Sequence, residues 1–245
     1  MSAEAYFEAV EEALARLRET QAEGITAAAD LLAETVAGGR TIFAFGATHS
    51  FALAAELVYR TGGLMLVNPI YPHGMDLSVR PLTLTSQVER LPGLGRLLLE
   101  HSPAQAGDAL LLSSVSGRNA VVIDMALAAR ERGLRTVAVT SVEYSLSAAS
   151  RHPSGKRLLE VCDLVLDNCA PRGDAAVSVP GLAQKTGPLS TVLGCALVNA
   201  LMAETLARLA ERGLEPPVFM SANLDGGDEY NARLLAQYAD RIHYL

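Results

Sequence analysis

Short runs of consecutive hydrophobic residues alternate with longer segments of helical spacing through the middle of the chain. The runs show no regular exchange of apolar and polar positions, so they predict strands that are buried on both faces. The segments 50–60 and 119–132, which each follow one of these runs, have apolar residues at helical spacing. This alternation predicts an α/β fold, a doubly wound three-layer sandwich with a five-stranded parallel sheet. The predicted strands are 41–45, 65–67, 109–112, 135–139 and 164–166.

Helical segments flank this core on both sides. The segments 4–18 and 25–37 have helical spacing, and the second ends at Gly38-Gly39. A helix of more than twenty residues is predicted from Pro188, because proline suits a first helical turn, to Gly213. We interpret the chain as a single domain, 1–245, that consists of a helical N-terminal arm (1–40), a core (41–213) and a C-terminal tail with a helix (214–245).

Composition narrows the classes of partner. Half of the 245 residues are hydrophobic, enough for a full core. The net charge of −7 and the lack of a Lys/Arg stripe argue against a nucleic-acid partner. The apolar stretch 192–203 is interrupted by Asn199 and is shorter than the roughly 18 residues of a membrane span, so it predicts a core helix and no membrane association. The acidic, amphipathic start does not resemble a signal peptide, and we predict a cytoplasmic protein.

Metal and nucleotide sites are disfavoured by their missing motifs. Cys162, Cys169 and Cys195 lack C-x-x-C spacing, so we interpret them as packing residues of a protein in a reducing compartment. The phosphate loop of nucleoside triphosphatases, G-x-x-x-x-G-K-[ST], is missing, and Gly46-Ala47-Thr48 does not match the dinucleotide motif G-x-G-x-x-G. The sequence therefore predicts neither a metal nor a cofactor.

Two strand-to-helix turns carry the small and hydroxyl-bearing residues of an anion site. We call 46–50, Gly-Ala-Thr-His-Ser, the first loop and 113–119, Ser-Ser-Val-Ser-Gly-Arg-Asn, the second loop. Both are expected at the carboxyl edge of the sheet, where helix N-termini favour phosphate. Ser and Asn also cap helices without any ligand, so capping is the alternative interpretation. The predicted ligand-binding residues are Ser50, Ser114, Ser116, Gly117, Asn119 and, after the next strand, Ser141.

The second loop and its surroundings resemble the sugar isomerase (SIS) domain. The segment 107–119, the helix end 128–133 and the strand 136–141 follow that family's order of strand, S-x-S-G loop, helix and strand. The layout is most similar to a bacterial phosphosugar-binding branch related to phosphoheptose isomerases, over about 41–213. The resemblance implies a flavodoxin-like or Rossmann-like fold, a phosphorylated sugar as ligand, and a homodimer or tetramer.

The sequence departs from the family pattern at three positions. Thr48 replaces the second glycine of the family's usual first loop, and Asn119 replaces the hydroxyl that closes the second loop. Related isomerases and etherases place a catalytic carboxylate about one turn further along the first helix than Glu56 lies from Ser50. Binding is therefore the firmer expectation, and turnover the weaker one.

The function that the resemblance implies is an aldose–ketose phosphosugar isomerase working through an enediol. Such an enzyme needs a base beside the carbonyl and an acid for the oxygens. We predict Glu56 as the base, His49 as the group that protonates a sugar oxygen or opens the ring, and His73 as a further catalytic-site residue that contacts the substrate from its loop. Glu56 could instead pair with Arg60 at i+4, His49 could bond backbone, and His73 could lie on the surface. Glu143 and Glu204 are alternative bases.

Two other functions share the same loops. One is a lyase of the etherase type, which opens an ether beside the carbonyl of a phosphosugar. The other is a phosphosugar-binding sensor without turnover. A positioned base separates the enzymes from the sensor, since all of them need the phosphate loops.

Overall fold

Five parallel strands form the centre of the molecule. The computed structural model describes all residues, 1–245, and orders the strands β2-β1-β3-β4-β5 with every neighbouring pair parallel. This is the flavodoxin-like order, and the predicted fold class is confirmed. The strands are β1 (Ile42–Gly46), β2 (Val67–Pro69), β3 (Ala109–Ser113), β4 (Arg135–Thr140) and β5 (Leu164–Asp167).

Helices cover both faces of this sheet. Two separate hydrophobic clusters, of 32 and 19 buried residues, fill the spaces on its two sides. The helices are α1 (Ser2–Thr20), α2 (Ala22–Ala37), α3 (Phe51–Leu57), α4 (Thr85–Val88), α5 (Leu94–Glu100), α6 (Ala120–Glu131), α7 (Val142–Ser147), α8 (Ser190–Glu211) and α9 (Gly227–Gln237). Buried residues of α2, α3 and α8 belong to the larger cluster, and those of α5 and α6 to the smaller.

Strand β1 shows why the sequence lacks polar alternation. Its side chains point alternately to the two faces of the sheet. Ile42 and Ala44 belong to the larger cluster, while Phe43 and Phe45 belong to the smaller one. All four are at most 2% exposed, because helices cover both faces. A doubly covered strand therefore needs hydrophobic residues at every position.

Helix α8 is the long apolar helix of the chain. By length and composition alone it could cross a membrane, a test that buried core helices also pass. Leu193, Leu197 and Leu201 are completely buried in the larger cluster, and α8 packs against α2 and α3. The structure thus places it in the core.

The start of α8 differs from the prediction. Pro188 is not its first residue, because Thr186–Pro188 forms a short strand, β7, that pairs antiparallel with β6 (Ala175–Val177). The helix begins at Ser190. Neither of these two strands is among those predicted, since strands of three residues are too short to show a periodic pattern.

Candidate functional site

The strand order creates a crevice between β1 and β3. These two strands are neighbours, but the chain leaves them in opposite directions across the sheet, which is where open α/β sheets bind ligands. A cavity of about 410 Å³ lies at their carboxyl ends. Both predicted loops contribute to its wall, together with the end of α4 and the start of α8. The polar or charged residues that line it are Thr48, His49, Ser50, Glu89, Ser113, Ser114, Ser116, Asn119, Tyr144, Asp174, Ser190 and Thr191.

The structure brings five of the predicted site residues together in this cavity. They are His49 and Ser50 from the first loop and Ser114, Ser116 and Asn119 from the second. Their meeting follows from topology, because the carboxyl ends of adjacent parallel strands lie side by side.

The second loop leads into α6 through a run of residues whose backbone amides are free. Asn119 is the N-cap of α6 in extended conformation, and its side chain makes no capping hydrogen bond. The backbone N–H groups of Gly117, Arg118 and Asn119 donate to no backbone carbonyl. A run of such amides at a helix N-terminus, beside two serine hydroxyls, is suited to hold an anion.

Gly117 shapes this loop without lining the cavity. Its φ of +57° lies in the left-handed region. A Cβ atom at this position would lie 2.9 Å from Ser145 Oγ, closer than Cβ atoms come to other groups, and would make a tight contact of 3.2 Å with Thr140 Oγ1. The glycine therefore lets the loop pack on β4 and α7 while its amide stays free.

The first loop is more occupied by the protein itself. The Thr48 N–H donates to the Met75 carbonyl at 2.8 Å, and the Ser50 N–H donates to Ala47 at 3.1 Å. Thr48 takes a φ of +53°, the conformation that glycine adopts at no cost. The loop thus keeps a glycine-type backbone in spite of the threonine. Fewer of its amides remain for a ligand than in the second loop.

The start of α8 faces the same cavity, but a carboxylate of the protein itself, Asp174, already binds its free amides. Asp174 Oδ1 accepts from the backbone N–H groups of Leu189 at 3.1 Å and Ser190 at 2.7 Å, while Oδ2 accepts from Ser190 Oγ at 2.7 Å. Asp174 holds this position with a φ of +70°. The carboxylate neutralises the positive end of the helix, so this end is less suited to a second anion.

Glu89 is a cavity residue that the sequence did not reveal. It follows α4, is half-buried, and lies beside α6 because the Val121 N–H donates to its backbone carbonyl at 3.2 Å. Burial raises the pKa of its carboxyl, and the Asn119 side chain, Arg90 and Arg151 partly oppose this rise. In the sequence Glu89 looks like any polar residue of a loop, since its approach to α6 is a long-range contact.

Four predicted site residues lie elsewhere. Glu56 forms an ion pair with Arg60 and accepts from Asn199 Nδ2 at 2.7 Å, so the structure does not bring it to the cavity. His73 is exposed on its loop and does not line the cavity either. Gly117 serves the backbone, as described above, and the fourth residue is Ser141.

Ser141 is a capping residue. It is completely buried, its hydroxyl accepts from the Tyr144 N–H at 3.1 Å and donates to the Ala170 carbonyl at 2.7 Å. Both interactions are internal and hold α7 against the chain that follows β5. Capping, the alternative interpretation, is the one that the structure supports here.

The alternative bases, Glu143 and Glu204, do not line the cavity. Glu143 lies in the first turn of α7, and Glu204 pairs with Arg208 at 2.9 Å. No group of three or more His, Cys, Asp or Glu side chains is placed to hold a metal ion.

Comparisons with known proteins agree with this architecture. The family model for the SIS domain matches residues 5–141, more than half of the chain. The chain therefore belongs to the SIS domain family, as the second loop predicts. Among its relatives, the UPF0309 protein of Shouchella clausii is 46% identical over 242 residues, which cover 99% of this chain and 98% of the relative.

Solved structures show the same fold at low identity. Phosphoheptose isomerase GmhA from Neisseria gonorrhoeae has a TM-score of 0.55 and 19% identity, over 84% of this chain and 97% of that one. The Vibrio vulnificus NanR protein complexed with ManNAc-6P has a TM-score of 0.51 and 14% identity, over 97% of this chain and 69% of that one. At these identities the likeness establishes the fold alone.

Proposed function

We propose that the cavity binds a phosphorylated sugar, with its phosphate at the second loop. The support is the set of free amides at Gly117, Arg118 and Asn119 beside the hydroxyls of Ser114 and Ser116. Phosphate is favoured at such a helix end by the unpaired N–H groups and by the helix dipole. The first loop, with most of its amides occupied, then faces the sugar through Ser50 and His49.

We propose further that the bound sugar is isomerised between aldose and ketose forms, with Glu89 as the base. Glu89 takes the place that the sequence suggested for Glu56, since it lines the cavity and Glu56 does not. A carboxylate with a raised pKa is a better proton acceptor at neutral pH than an ordinary one. It would take the proton from the carbon beside the carbonyl and return it to the neighbouring carbon of the enediol.

The acid of this mechanism is assigned to His49. It lines the cavity on the first loop, across from the second loop that holds the phosphate. An imidazole can both give and accept a proton near neutral pH, as the exchange between hydroxyl and carbonyl oxygens requires. The observation that carries the proposal is that the hydroxyls of Ser114 and Ser116, the N-cap residue Asn119 with its free amide, and the half-buried Glu89 line one cavity.

A sensor without turnover is the second candidate. Its support is the position of Glu56, the carboxylate nearest to the family's catalytic position, in an ion pair outside the cavity. An etherase-type lyase would use the same base as the isomerase, and differs in the bond that breaks after proton removal.

Proton NMR in D₂O tests the proposal. The protein is incubated with a panel of hexose, heptose and amino-sugar phosphates, and loss of the proton beside the carbonyl is followed. We expect exchange or a new sugar with at least one compound, and neither with E89Q. The matched control E56Q should retain exchange. Binding by line broadening without exchange would favour the sensor, and loss of exchange in E56Q alone would return the base to Glu56.

Self-association is also expected of this chain. Phe7 of α1 is 61% exposed and Val192 of α8 is 42% exposed, although both helices contribute to the core. Large apolar side chains on a surface are often covered in an oligomer. Sedimentation velocity at micromolar concentration should show a dimer or tetramer, and a monomer alone would contradict this expectation.

A further inference from the structure

Three segments of the chain meet at the start of α6, and each brings an arginine. The Val121 N–H donates to the Glu89 carbonyl at 3.2 Å, which places the end of α4 and Arg90 beside α6. The Arg151 N–H donates to the Arg118 carbonyl at 2.8 Å, which joins the loop after α7 to the second loop. We call Arg90, Arg118 and Arg151 the arginine cluster.

The arginine cluster forms no ion pair, although the Glu89 carboxylate lies near enough to act on the pKa of Arg151. None of its three guanidinium groups lies within 4.0 Å of a carboxylate, whereas Arg60, Arg96, Arg135, Arg157 and Arg208 all form ion pairs. The Nε atom of Arg118 is buried and has no hydrogen-bond partner. The pKa of Arg151 is lowered, first by its partial burial and then by the positive charges of Arg118 and Arg90, while the Glu89 carboxylate only partly opposes this shift. The positive charge gathered here is thus incompletely compensated.

The arginine cluster is linked to the cavity by a hydrogen bond from Arg151 to a residue that lines it. Arg151 Nη1 donates to Asn119 Oδ1 at 2.9 Å, and Asn119 lines the cavity. The loop that carries Arg151 is fixed by its neighbour, because His152 Nε2 lies 2.8 Å from Asp124 Oδ1 and both side chains are nearly buried. Arg151 is exposed, so its remaining N–H groups are open to a ligand at the rim.

A single phosphate does not account for this arrangement. The free amides of the second loop and its serine hydroxyls already provide a phosphate site, and the net charge of the whole chain is −7. Positive groups that repel one another in an otherwise acidic protein indicate a negatively charged ligand group near them.

We propose that the ligand carries a second negative group, a carboxylate or a second phosphate, which binds to the arginine cluster through Arg151. The inference rests on the proposed function, because it assumes that a phosphosugar occupies the cavity. It narrows the ligand to phosphosugars with a second anionic group, such as sugar-acid phosphates and sugar bisphosphates.

Isothermal titration calorimetry with three probes tests this inference. Glucose 6-phosphate carries one anionic group, 6-phosphogluconate adds a carboxylate, and glucose 1,6-bisphosphate adds a phosphate. At least one of the two probes with a second anionic group should bind about 10-fold more tightly than glucose 6-phosphate, a difference of about 1.4 kcal/mol. The probe that binds better identifies the second group as a carboxylate or a phosphate.

The variant R151Q shows whether the arginine is the cause. We expect it to reduce this preference to less than about 3-fold while changing the Kd of glucose 6-phosphate by less than about 2-fold. The matched control is R212Q, which removes the same charge from an exposed residue after the far end of α8, 22 residues away from the helix start that lines the cavity. It should leave the preference unchanged.

Other results would overturn the inference in distinguishable ways. If the unmodified protein bound all three probes with equal affinity, the proposal that the ligand carries a second anionic group would be contradicted. An equal loss for all probes in R151Q would show that Arg151 serves the phosphate itself, and a matching loss in R212Q would reduce the effect to net charge. Binding of none of a broad panel of sugar phosphates would instead contradict the proposed function.

Discussion

Helices α6 and α8 both begin at the cavity, yet their N-termini are used differently. At α8 the protein supplies its own anion, since Asp174 accepts from two backbone amides and the Ser190 hydroxyl. At α6 the N-cap Asn119 makes no such bond, and the amides before it are free. A helix start lined with polar residues is therefore structural or ligand-binding according to whether the protein fills it.

The serines after β3 and β4 repeat the contrast. Ser114 and Ser116 line the cavity, whereas Ser141 caps α7 and bonds to Ala170. The residue type and the position after a parallel strand are the same. The difference lies in what the following chain offers as a partner.

The largest effect is expected from removing the base that faces the open end of α6. E89Q should lower kcat/KM by about 10²–10⁴-fold, because a positioned general base contributes that much. Steady-state kinetics on whichever substrate the NMR panel identifies measures it, with E56Q as the control. Retention of more than about a tenth of the activity by E89Q would contradict this role.

The same variant predicts a pH effect. Because folding raises the pKa of Glu89, its ionisation at neutral pH destabilises the folded protein. This destabilisation is absent below the pKa of the unfolded state, where Glu89 is protonated in both states. E89Q should therefore raise the Tm at pH 7, and this gain should shrink as the pH falls and Glu89 becomes protonated. The acid limb of the activity profile should lie above that of an ordinary carboxyl, and a limb near pH 4 would argue against Glu89.

Filling the open end of α6 should make it resemble α8. N119D places a carboxylate where we expect the phosphate, and should weaken binding of inorganic phosphate by about 100-fold through like-charge repulsion. N119S, which lacks the added charge, is the control and should bind within about 5-fold of the unmodified protein. Calorimetry with inorganic phosphate decides, and unchanged affinity in N119D would place the anion elsewhere.

Neutralising Asp174 at the start of α8 tests the other half of the comparison. D174N removes the charge that accepts three hydrogen bonds, and should destabilise the fold by about 2–3 kcal/mol. D228N, at an exposed aspartate in the first turn of α9, should cost less than about 1 kcal/mol. Urea unfolding measures both, and equal losses would show that Asp174 is no more than a surface charge near a helix end.

The serine pair should separate stability from binding. S141A should cost about 1–2 kcal/mol, since it removes a buried cap, and leave phosphate binding unchanged. S116A should do the reverse, with weaker phosphate binding at nearly constant stability. Paired urea unfolding and calorimetry follow the two properties, and a binding defect in S141A would return it to the site.

The smallest effect is expected at Glu160, outside both helix starts. Its ion pair with Arg157 and the Arg157 backbone amide lower its pKa from 4.5 to about 2. The stabilisation is therefore present above pH 4.5 and lost as the pH falls through about 2. E160Q should lower the Tm at pH 7 by less than about 3 °C, because the pair is solvent-exposed. The difference in Tm between E160Q and the unmodified protein should vanish near pH 2. A difference that grew at low pH would show that the ionised form of Glu160 does not stabilise the fold.

The sequence by itself determined the order of the five core strands and the positions of the two loops. The strand at Ile42–Gly46 is visible because every position is hydrophobic, and the second loop because Ser and Gly end such a run before a helix. These signals are local, so they survive without knowledge of the fold. The observed strands begin and end within two residues of their predicted bounds.

Only the tertiary structure decided which polar groups meet. Glu89 is held at the cavity by the hydrogen bond from the Val121 N–H of α6 to its backbone carbonyl, and Asp174 reaches the start of α8 because the β6–β7 pair brings the two segments together. Glu56 lies on the predicted helix but pairs with Arg60 outside the cavity. Hydrophobic periodicity predicts which face of a helix or strand is buried, because the pattern is local. The partner of a polar side chain cannot be predicted in this way, because it is brought close by a distant part of the chain.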